Sequence, residues 1–171
     1  MGKDELGYRP CVGIMLLNSD NHVWVGRRLD RDKNEGRYAN GNWWQMPQGG
    51  IDTGETPQGA VLRELHEETG IDASRVKVLG VTPKWLHYDL PEELVGKVWG
   101  GKFRGQKQRW FALRFRGEDS EFNIGPRKGI KAEFDAWKWV SVDELSDLII
   151  PFKREVYGAV LREFSQLVKA D

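Results

Sequence analysis

The segment from residue 49 to residue 71 constrains this chain more than any other. It reads GGIDTGETPQGAVLRELHEETGI, which has the spacing Gly-x5-Glu-x7-Arg-Glu-apolar-x-Glu-Glu-x-Gly-apolar. Thr56 is a favoured N-cap residue, Pro57 suits a first helical position, and Gly70 suits the residue after a last turn. The segment therefore predicts a helix with well-marked ends that follows a glycine-containing loop.

Three glutamates of this segment share one face of the predicted helix. Glu64, Glu67 and Glu68 are three and four residues apart, and residues at these spacings are neighbours on a helix surface. An acidic face in solvent usually has basic residues four positions further on, but positions 71 and 72 carry none and only Arg63 lies beside the glutamates. For the short acidic pattern alone, a solvated face is the better interpretation. A functional cluster is favoured instead because four further residues match the spacing, namely Gly49, Glu55, Gly70 and Ile71.

Clustered carboxylates without His or Cys partners select hard divalent ions. Mg²⁺ suits them, and Mn²⁺ is possible, because such ions keep several waters and share phosphate oxygens. Two or more ions bound with a phosphorylated substrate activate a water and neutralise the departing phosphate. Gly49 can bring its backbone carbonyl close to a metal, a role compatible with a tight turn there. For Glu55, metal ligation and positioning of the helix both remain open.

The motif resembles the signature of the Nudix hydrolases. Other segments resemble the bacterial subgroup of RNA pyrophosphohydrolases and dinucleoside polyphosphate hydrolases, and together they cover nearly the whole chain: GYRPCVGI, WQMPQGGI, WLHYDLP, GQKQRWF, AEFDAWKWV and FKREVY. The resemblance implies that Glu64, Glu67 and Glu68 hold the metal ions and that one of them assists the attacking water. It also implies a further metal ligand at Glu133, although the sequence alone favours an ordinary loop charge at this position.

The same resemblance indicates how the substrate is held. It implies that Arg9, Arg28 and Lys153 contact phosphates, which suits a guanidinium fork and a compact ammonium charge. It also implies that Tyr88 packs near the substrate and that Phe152 stacks on a base. The alternative for each aromatic residue is packing in the core, where most aromatic side chains serve.

The remaining pattern predicts an α/β fold, with a mixed β-sheet between helices in a Nudix-type α/β/α sandwich. Ser141 and Glu144 form a capping-box pattern, and apolar residues at three- and four-residue spacing predict a C-terminal amphipathic helix. Pro47 and the Gly49–Gly50 pair are expected to end a short strand, and residues 29–42 and 96–105 are expected to be loops. The predicted strands are residues 11–18, 22–28, 43–46, 76–81, 84–90, 108–116 and 136–140.

Composition predicts one cytoplasmic domain over residues 1–171. The hydrophobic share of 39% can build a single core, and the 26 basic and 26 acidic residues cancel, so no global field attracts nucleic acid or membrane. The lone Cys11 lies in an apolar run and is expected to be buried filler in a reducing compartment. That run is too short to cross a bilayer, and the first ten residues lack an apolar secretory core. We therefore expect no membrane association.

Three functions fit these observations. The first is magnesium-dependent removal of pyrophosphate from the 5′-triphosphate end of RNA, which initiates RNA decay. The second is hydrolysis of dinucleoside polyphosphates such as diadenosine tetraphosphate to ATP and AMP. The third is a nucleotide-binding module without catalysis, which is disfavoured because no glutamate of the motif is missing. The basic, glycine-containing stretches 31–42 and 95–104 could widen or cover the cleft, which leaves the substrate open.

Overall fold

A mixed β-sheet forms the centre of the molecule. The computed structural model describes residues 5–29 and 42–168. The strands of the described residues are β1 (Gly7–Leu17), β2 (Val23–Arg28), β3 (Trp44–Gln45), β4 (Gln48–Gly50), β5 (Val76–Val81), β6 (Leu86–Asp89), β7 (Phe103–Phe115) and β8 (Phe134–Val140). Their helices are α1 (Pro57–Thr69), α2 (Leu145–Leu148), α3 (Arg154–Glu163) and α4 (Ser165–Val168), with short 3-10 turns between elements.

The sheet has the order β3-β2-β1-β7-β5. Strands β1 and β7 are parallel over almost their full length, with Arg9 opposite Gln106 and Gly13 opposite Trp110. The other pairs are antiparallel, and they add β4 to β1, β6 to β7 and β8 to β2. The prediction of a mixed sheet is therefore confirmed.

Alternate residues of β1 face different layers, as the strand period of two requires. Val12, Ile14 and Leu16 belong to a core that contains α1 residues, whereas Met15 and Leu17 belong to a core that contains α3 residues. The helices thus cover opposite faces of the sheet, which confirms the α/β/α sandwich. The buried residues of the C-terminal helical stripe are Val156, Tyr157, Val160 and Phe164.

Strand pairing extends into segments that the sequence did not predict as strand. Residues 103–105, expected to be loop, belong to β7, because the parallel pairing with β1 extends to Phe103 and orders a polar, glycine-containing segment. The predicted strand before Pro47 does end, at Gln45, but Gly49 and Gly50 then belong to β4, since antiparallel pairing with residues 11–13 of β1 offsets the weak strand preference of glycine. Of the predicted loop 29–42, residues 30–41 lie outside the described residues.

Other local predictions agree with the structure. The Ser141 backbone N–H donates to Glu144 at 2.9 Å, which confirms the capping box, although it starts a 3-10 turn rather than an α-helix. Cys11 is fully buried, and burial raises the pKa of its thiol to about 11, so the residue acts as apolar filler. Among residues 5–29 and 42–168, no helix is both long and apolar enough to cross a bilayer.

Candidate active site

Helix α1 carries the acidic cluster and begins and ends where the sequence predicts. The Thr56 hydroxyl accepts a hydrogen bond from the Gly59 backbone N–H at 3.0 Å, which caps the first turn. Gly70 adopts the left-handed conformation, with φ of 78°, and its N–H donates to the His66 carbonyl. A residue with a β-carbon would be strained at this position, so the glycine closes the helix.

The four predicted acidic ligands line one cavity of about 140 Å³ beside α1. Glu64, Glu67 and Glu68 face it from the helix, and Glu133 faces it from the loop before β8. Their exposure differs: Glu68 is 6% exposed, and the side chain of Glu67 is 39% exposed. The fold therefore brings residues 64 and 133 together, which local sequence patterns could not predict.

Burial makes negative charge costly in this cavity. It raises the pKa of Glu68 well above its ordinary value, and the charges of Glu64 and Glu133 raise it further. Burial likewise raises the pKa of Glu64 to about 7, with the Arg63 guanidinium opposing the shift. Glu68 accepts a backbone hydrogen bond from Gln48 at 3.0 Å. A nearby cation is the usual solution for several half-buried carboxylates.

Divalent ions fit this set of donors. The oxygens are all from carboxylates or backbone, as Mg²⁺ and Mn²⁺ prefer. Within the described residues no three acidic, His or Cys side chains already converge as a metal-binding group. Glu64 and Glu67 are drawn instead toward Arg63, and a divalent ion would have to compete with that guanidinium for the same oxygens.

Arg63 ties the cluster together. Its guanidinium donates to both oxygens of Glu55, at 2.8 and 2.9 Å, and to the Gly50 carbonyl at 2.8 Å. It also donates to Glu64 at 2.9 Å and to Glu67 at 3.2 Å. The hydrogen bonds from Arg63 to Glu55 lower the pKa of Glu55 to about 2, and the hydrogen bond from the Asp52 backbone N–H lowers it further. Donors occupy both oxygens of Glu55, which agrees with the positioning role that the sequence suggests as one alternative.

Arg63→Lys should lower kcat/KM by about tenfold to a hundredfold, the effect typical of residues that orient metal ligands. An ammonium group cannot span Glu55, Glu64 and the Gly50 carbonyl at once, so the carboxylates lose their orientation. The control variant is Arg75→Lys, which should keep wild-type kcat/KM because Arg75 lies away from the acidic cluster and forms an exposed ion pair with Glu121 at 2.7 Å. Steady-state kinetics of both variants test this, and equal activities would show that the guanidinium fork is not needed.

Gly49 lies directly against the acidic cluster. A β-carbon on Gly49 would lie 2.1 Å from Glu64 Cδ and within 2.4 Å of both its carboxylate oxygens. The residue pairs with Val12 in ordinary extended backbone and is not among the residues with positive φ. The close approach of Glu64 therefore accounts for glycine here. The predicted role of the Gly49 carbonyl as a metal ligand remains a prediction.

Hydrogen bonds from Leu29 and from the Arg127 side chain hold the loop that carries Glu133. The Leu29 backbone N–H donates to the Glu133 carbonyl at 3.0 Å, which fixes the loop at the end of β2. Arg127 donates to the carbonyls of His66 and Glu67, at 2.6 and 2.8 Å, and so caps the last turn of α1. Arg127 was not predicted from the sequence, where its only signal is a basic residue in a glycine-containing loop.

A second cavity, of about 150 Å³, adjoins the acidic one and contains every predicted substrate-binding residue. Glu133 lines both cavities, and Gln48 joins them because its side chain lines the second while its backbone contacts Glu68. We call this second cavity the cleft. The predicted residues that line it are Arg9, Arg28, Tyr88, Phe152 and Lys153.

Aromatic rings and cations lie close together in the cleft. The rings of Tyr88 and Phe152 are 5.9 Å apart, and Lys153 Nζ lies 5.7 Å from the centre of the Tyr88 ring. The Arg9 guanidinium lies 5.8 Å from the centre of the Trp99 ring. Tyr88 is 6% exposed, so it packs in the core as well as lining the cleft.

Sequence analysis missed several cleft residues. Val98 and Trp99 come from the stretch 95–104, which thus forms part of the cleft wall. The polar residues Gln45, Gln48 and Gln106 also line it. Glutamine has no spacing signal of its own, and only the pairing of distant strands brings these three side chains together.

Comparison with known protein families and proteins agrees with this geometry. A family model described as NUDIX domain matches residues 7–163. A protein of Agrobacterium fabrum named RNA pyrophosphohydrolase is 52% identical over 165 residues, which are 96% of this chain and 95% of that protein. A protein of Rhizobium meliloti with the same name is 50% identical over 170 residues, which are 99% of this chain and 100% of the relative.

Solved structures share the fold. An Ap4A hydrolase from C. elegans superposes with a TM-score of 0.65 at 17% identity, covering 94% of this chain and 97% of that one. The E. coli dihydroneopterin triphosphate pyrophosphohydrolase superposes with a TM-score of 0.64 at 20% identity, covering 92% and 99%. At such low identity, these likenesses establish the α/β architecture and nothing about the substrate.

Proposed function

The chain belongs to the Nudix hydrolase family, and we propose that it is a magnesium-dependent RNA pyrophosphohydrolase, which removes pyrophosphate from the 5′-triphosphate end of RNA. The observation that carries this proposal is the meeting of an acidic cavity and a basic, aromatic cleft at Glu133. In this proposal, a phosphorylated 5′ end occupies both. The names of relatives that are about half identical over nearly the whole chain support RNA as the substrate.

The proposed roles follow from the chemistry of each side chain. Arg9, Arg28 and Lys153 bind phosphate oxygens by charge-assisted hydrogen bonds, and Phe152 stacks on a base while Tyr88 supports it. In the acidic cavity, the cluster would hold divalent ions, which would supply an activated water and neutralise charge on the departing pyrophosphate. One carboxylate of the cluster would take the proton from the attacking water. The proposed ligands are Glu64, Glu67, Glu68, Glu133 and the Gly49 carbonyl.

Dinucleoside polyphosphate hydrolysis is the second candidate. The observation in its favour is that three aromatic side chains line the cleft, namely Tyr88, Phe152 and Trp99. Several aromatic rings in one cleft suit a substrate that carries a base at each end. RNA remains the better-supported substrate because of the names of the relatives.

A direct substrate comparison tests the proposal. Purified protein in magnesium buffer is given 5′-triphosphorylated RNA or diadenosine tetraphosphate at matched concentrations, and kcat/KM is measured for each. We expect RNA to be preferred, with pyrophosphate released and a 5′-monophosphate left on the RNA. A hundredfold preference for the dinucleotide would refute the RNA assignment and establish the second candidate.

We further propose that the enzyme works in the cytoplasm, where it initiates RNA decay, and that Mn²⁺ can replace Mg²⁺. The buried Cys11 is compatible with a reducing compartment. The preference of carboxylate ligands for hard ions supports both metals.

A further inference from the structure

Three neighbouring strands place one residue each in a row across the floor of the cleft. Gln106 of β7 lies opposite Arg9 of β1 and, on its other side, opposite Tyr88 of β6. All three line the cleft. Gln106 is therefore a neutral polar residue between a cation and an aromatic hydroxyl, and its amide can present either hydrogen-bond donors or an acceptor.

A chain of hydrogen bonds fixes which end of this amide faces the cleft. The Trp110 indole N–H donates to Gln108 Oε1 at 2.8 Å, and Gln108 Nε2 donates to Gln106 Oε1 at 2.7 Å. An indole nitrogen can only donate, so Gln108 must turn its oxygen toward Trp110 and its NH₂ toward Gln106. Gln106 must then accept with its oxygen, which leaves its NH₂ group as a donor for the cleft.

The chain of hydrogen bonds is rigidly held. Gln106, Gln108 and Trp110 are each at most 2% exposed, so a flipped amide would leave buried polar groups unpaired at considerable cost. Gly13 lies under the indole, where a β-carbon would come within 2.5 Å of three ring atoms. Glycine at that position thus lets Trp110 lie flat across β1.

A second, independent observation points to a ligand at this row. The Tyr88 hydroxyl belongs to a residue that is 6% exposed and lines the cleft, and this hydroxyl has no hydrogen-bond partner among the described residues. Burial raises the pKa of Tyr88 well above its ordinary value, so its hydroxyl keeps its proton and can donate. Arg9, Gln106 and Tyr88 together then offer a row of donors.

We propose that Trp110 is a positioning residue which, through Gln108, holds the Gln106 amide with its N–H toward the cleft, where it donates to a phosphate oxygen of the substrate beside Arg9. Donors arranged in a row match the several oxygens of a polyphosphate, which only accept hydrogen bonds at neutral pH. This inference deepens the proposed function and rests on it only in assuming a ligand with linked phosphates.

Calorimetric titration with methylenediphosphonate, a non-hydrolysable pyrophosphate analogue, tests the proposal in magnesium buffer without requiring turnover. Gln106→Leu should weaken binding about tenfold, since a hydrogen bond to a charged group is lost. Gln106→Glu should weaken it more, because it keeps the acceptor for Gln108 but presents only oxygen to the ligand. Trp110→Phe should weaken binding severalfold by releasing the amide orientation.

The double variant Trp110→Phe/Gln106→Leu distinguishes a positioning role from a structural one. If Trp110 acts through Gln106, the double variant binds no more weakly than Gln106→Leu alone. Additive losses, or wild-type binding by Trp110→Phe, would overturn the proposal. The matched control is Trp24→Phe, because Trp24 is fully buried and its indole N–H has no partner among the described residues; its binding should be unchanged.

Titration with adenosine, which carries a base but no phosphate, tests whether the Gln106 amide donates to a phosphate or to a base. Adenosine binding should not respond to Gln106→Leu, and a loss confined to adenosine would overturn the phosphate assignment. Since the readout is binding of a non-hydrolysable phosphonate, it does not depend on whether RNA or a dinucleotide is hydrolysed. A failed RNA assignment and a failed positioning role are therefore distinguishable.

Discussion

Glu68→Gln should lower kcat by about a thousandfold, while the protein remains folded. The substitution keeps the size of the side chain but removes the negative charge of the most buried carboxylate in the acidic cavity. A bound divalent ion contributes several kcal/mol of charge stabilisation in phosphoryl transfer, and about 4 kcal/mol corresponds to a thousandfold in rate. Loss of one charged ligand is expected to remove most of that contribution.

The fold should tolerate this change because the charge on Glu68 is already disfavoured. Burial holds its pKa well above the ordinary value, and a glutamine oxygen can still accept the Gln48 backbone N–H that Glu68 accepts at 3.0 Å. The melting temperature in metal-free buffer should therefore be unchanged or higher. Glu163→Gln, at an exposed position of α3, is the control and should keep full activity. Magnesium-dependent turnover at the wild-type rate by Glu68→Gln would refute the ligand assignment.

The local part of the site could be predicted from the sequence, because each signal lies within one element. The N-cap, the glycine at the helix end and the shared face of Glu64, Glu67 and Glu68 depend only on helical spacing and end chemistry. The predicted substrate-binding residues could not be found from local signals in this way. Only a family resemblance indicated Arg9 and Phe152, which are far apart in the chain yet line one cleft.

The unpredicted part depends on strand pairing. Periodicity shows that a segment is a strand but not which strand lies beside it, so the parallel pairing of β1 with β7 could not be derived. This pairing places Gln106 between Arg9 and Tyr88 and extends β7 to Phe103. Arg127 was missed for a similar reason, since its partners in α1 are 60 and 61 residues away.

Gly49→Ala should lower kcat/KM by about a hundredfold with little loss of stability. The added methyl group would overlap the Glu64 carboxylate, whose Cδ lies 2.1 Å from the β-carbon position. That carboxylate ends a flexible side chain, so it can swing away at small cost to the fold, but it then leaves the orientation that Arg63 and the cavity give it. An error of about 1 Å in a catalytic group can cost a hundredfold in rate.

Backbone strain cannot explain such a loss, because Gly49 lies in extended backbone that alanine adopts readily. Gly7→Ala in the same sheet is the matched control: Gly7 has no atom within 4 Å of its β-carbon position, so its variant should match the wild type. Kinetics at saturating magnesium and thermal melts of both variants provide the measurement. If Gly49→Ala melts normally and retains wild-type kcat/KM, the placement of the Glu64 carboxylate is not critical for catalysis. If it is inactive but folded, the requirement for glycine at position 49 comes from that carboxylate.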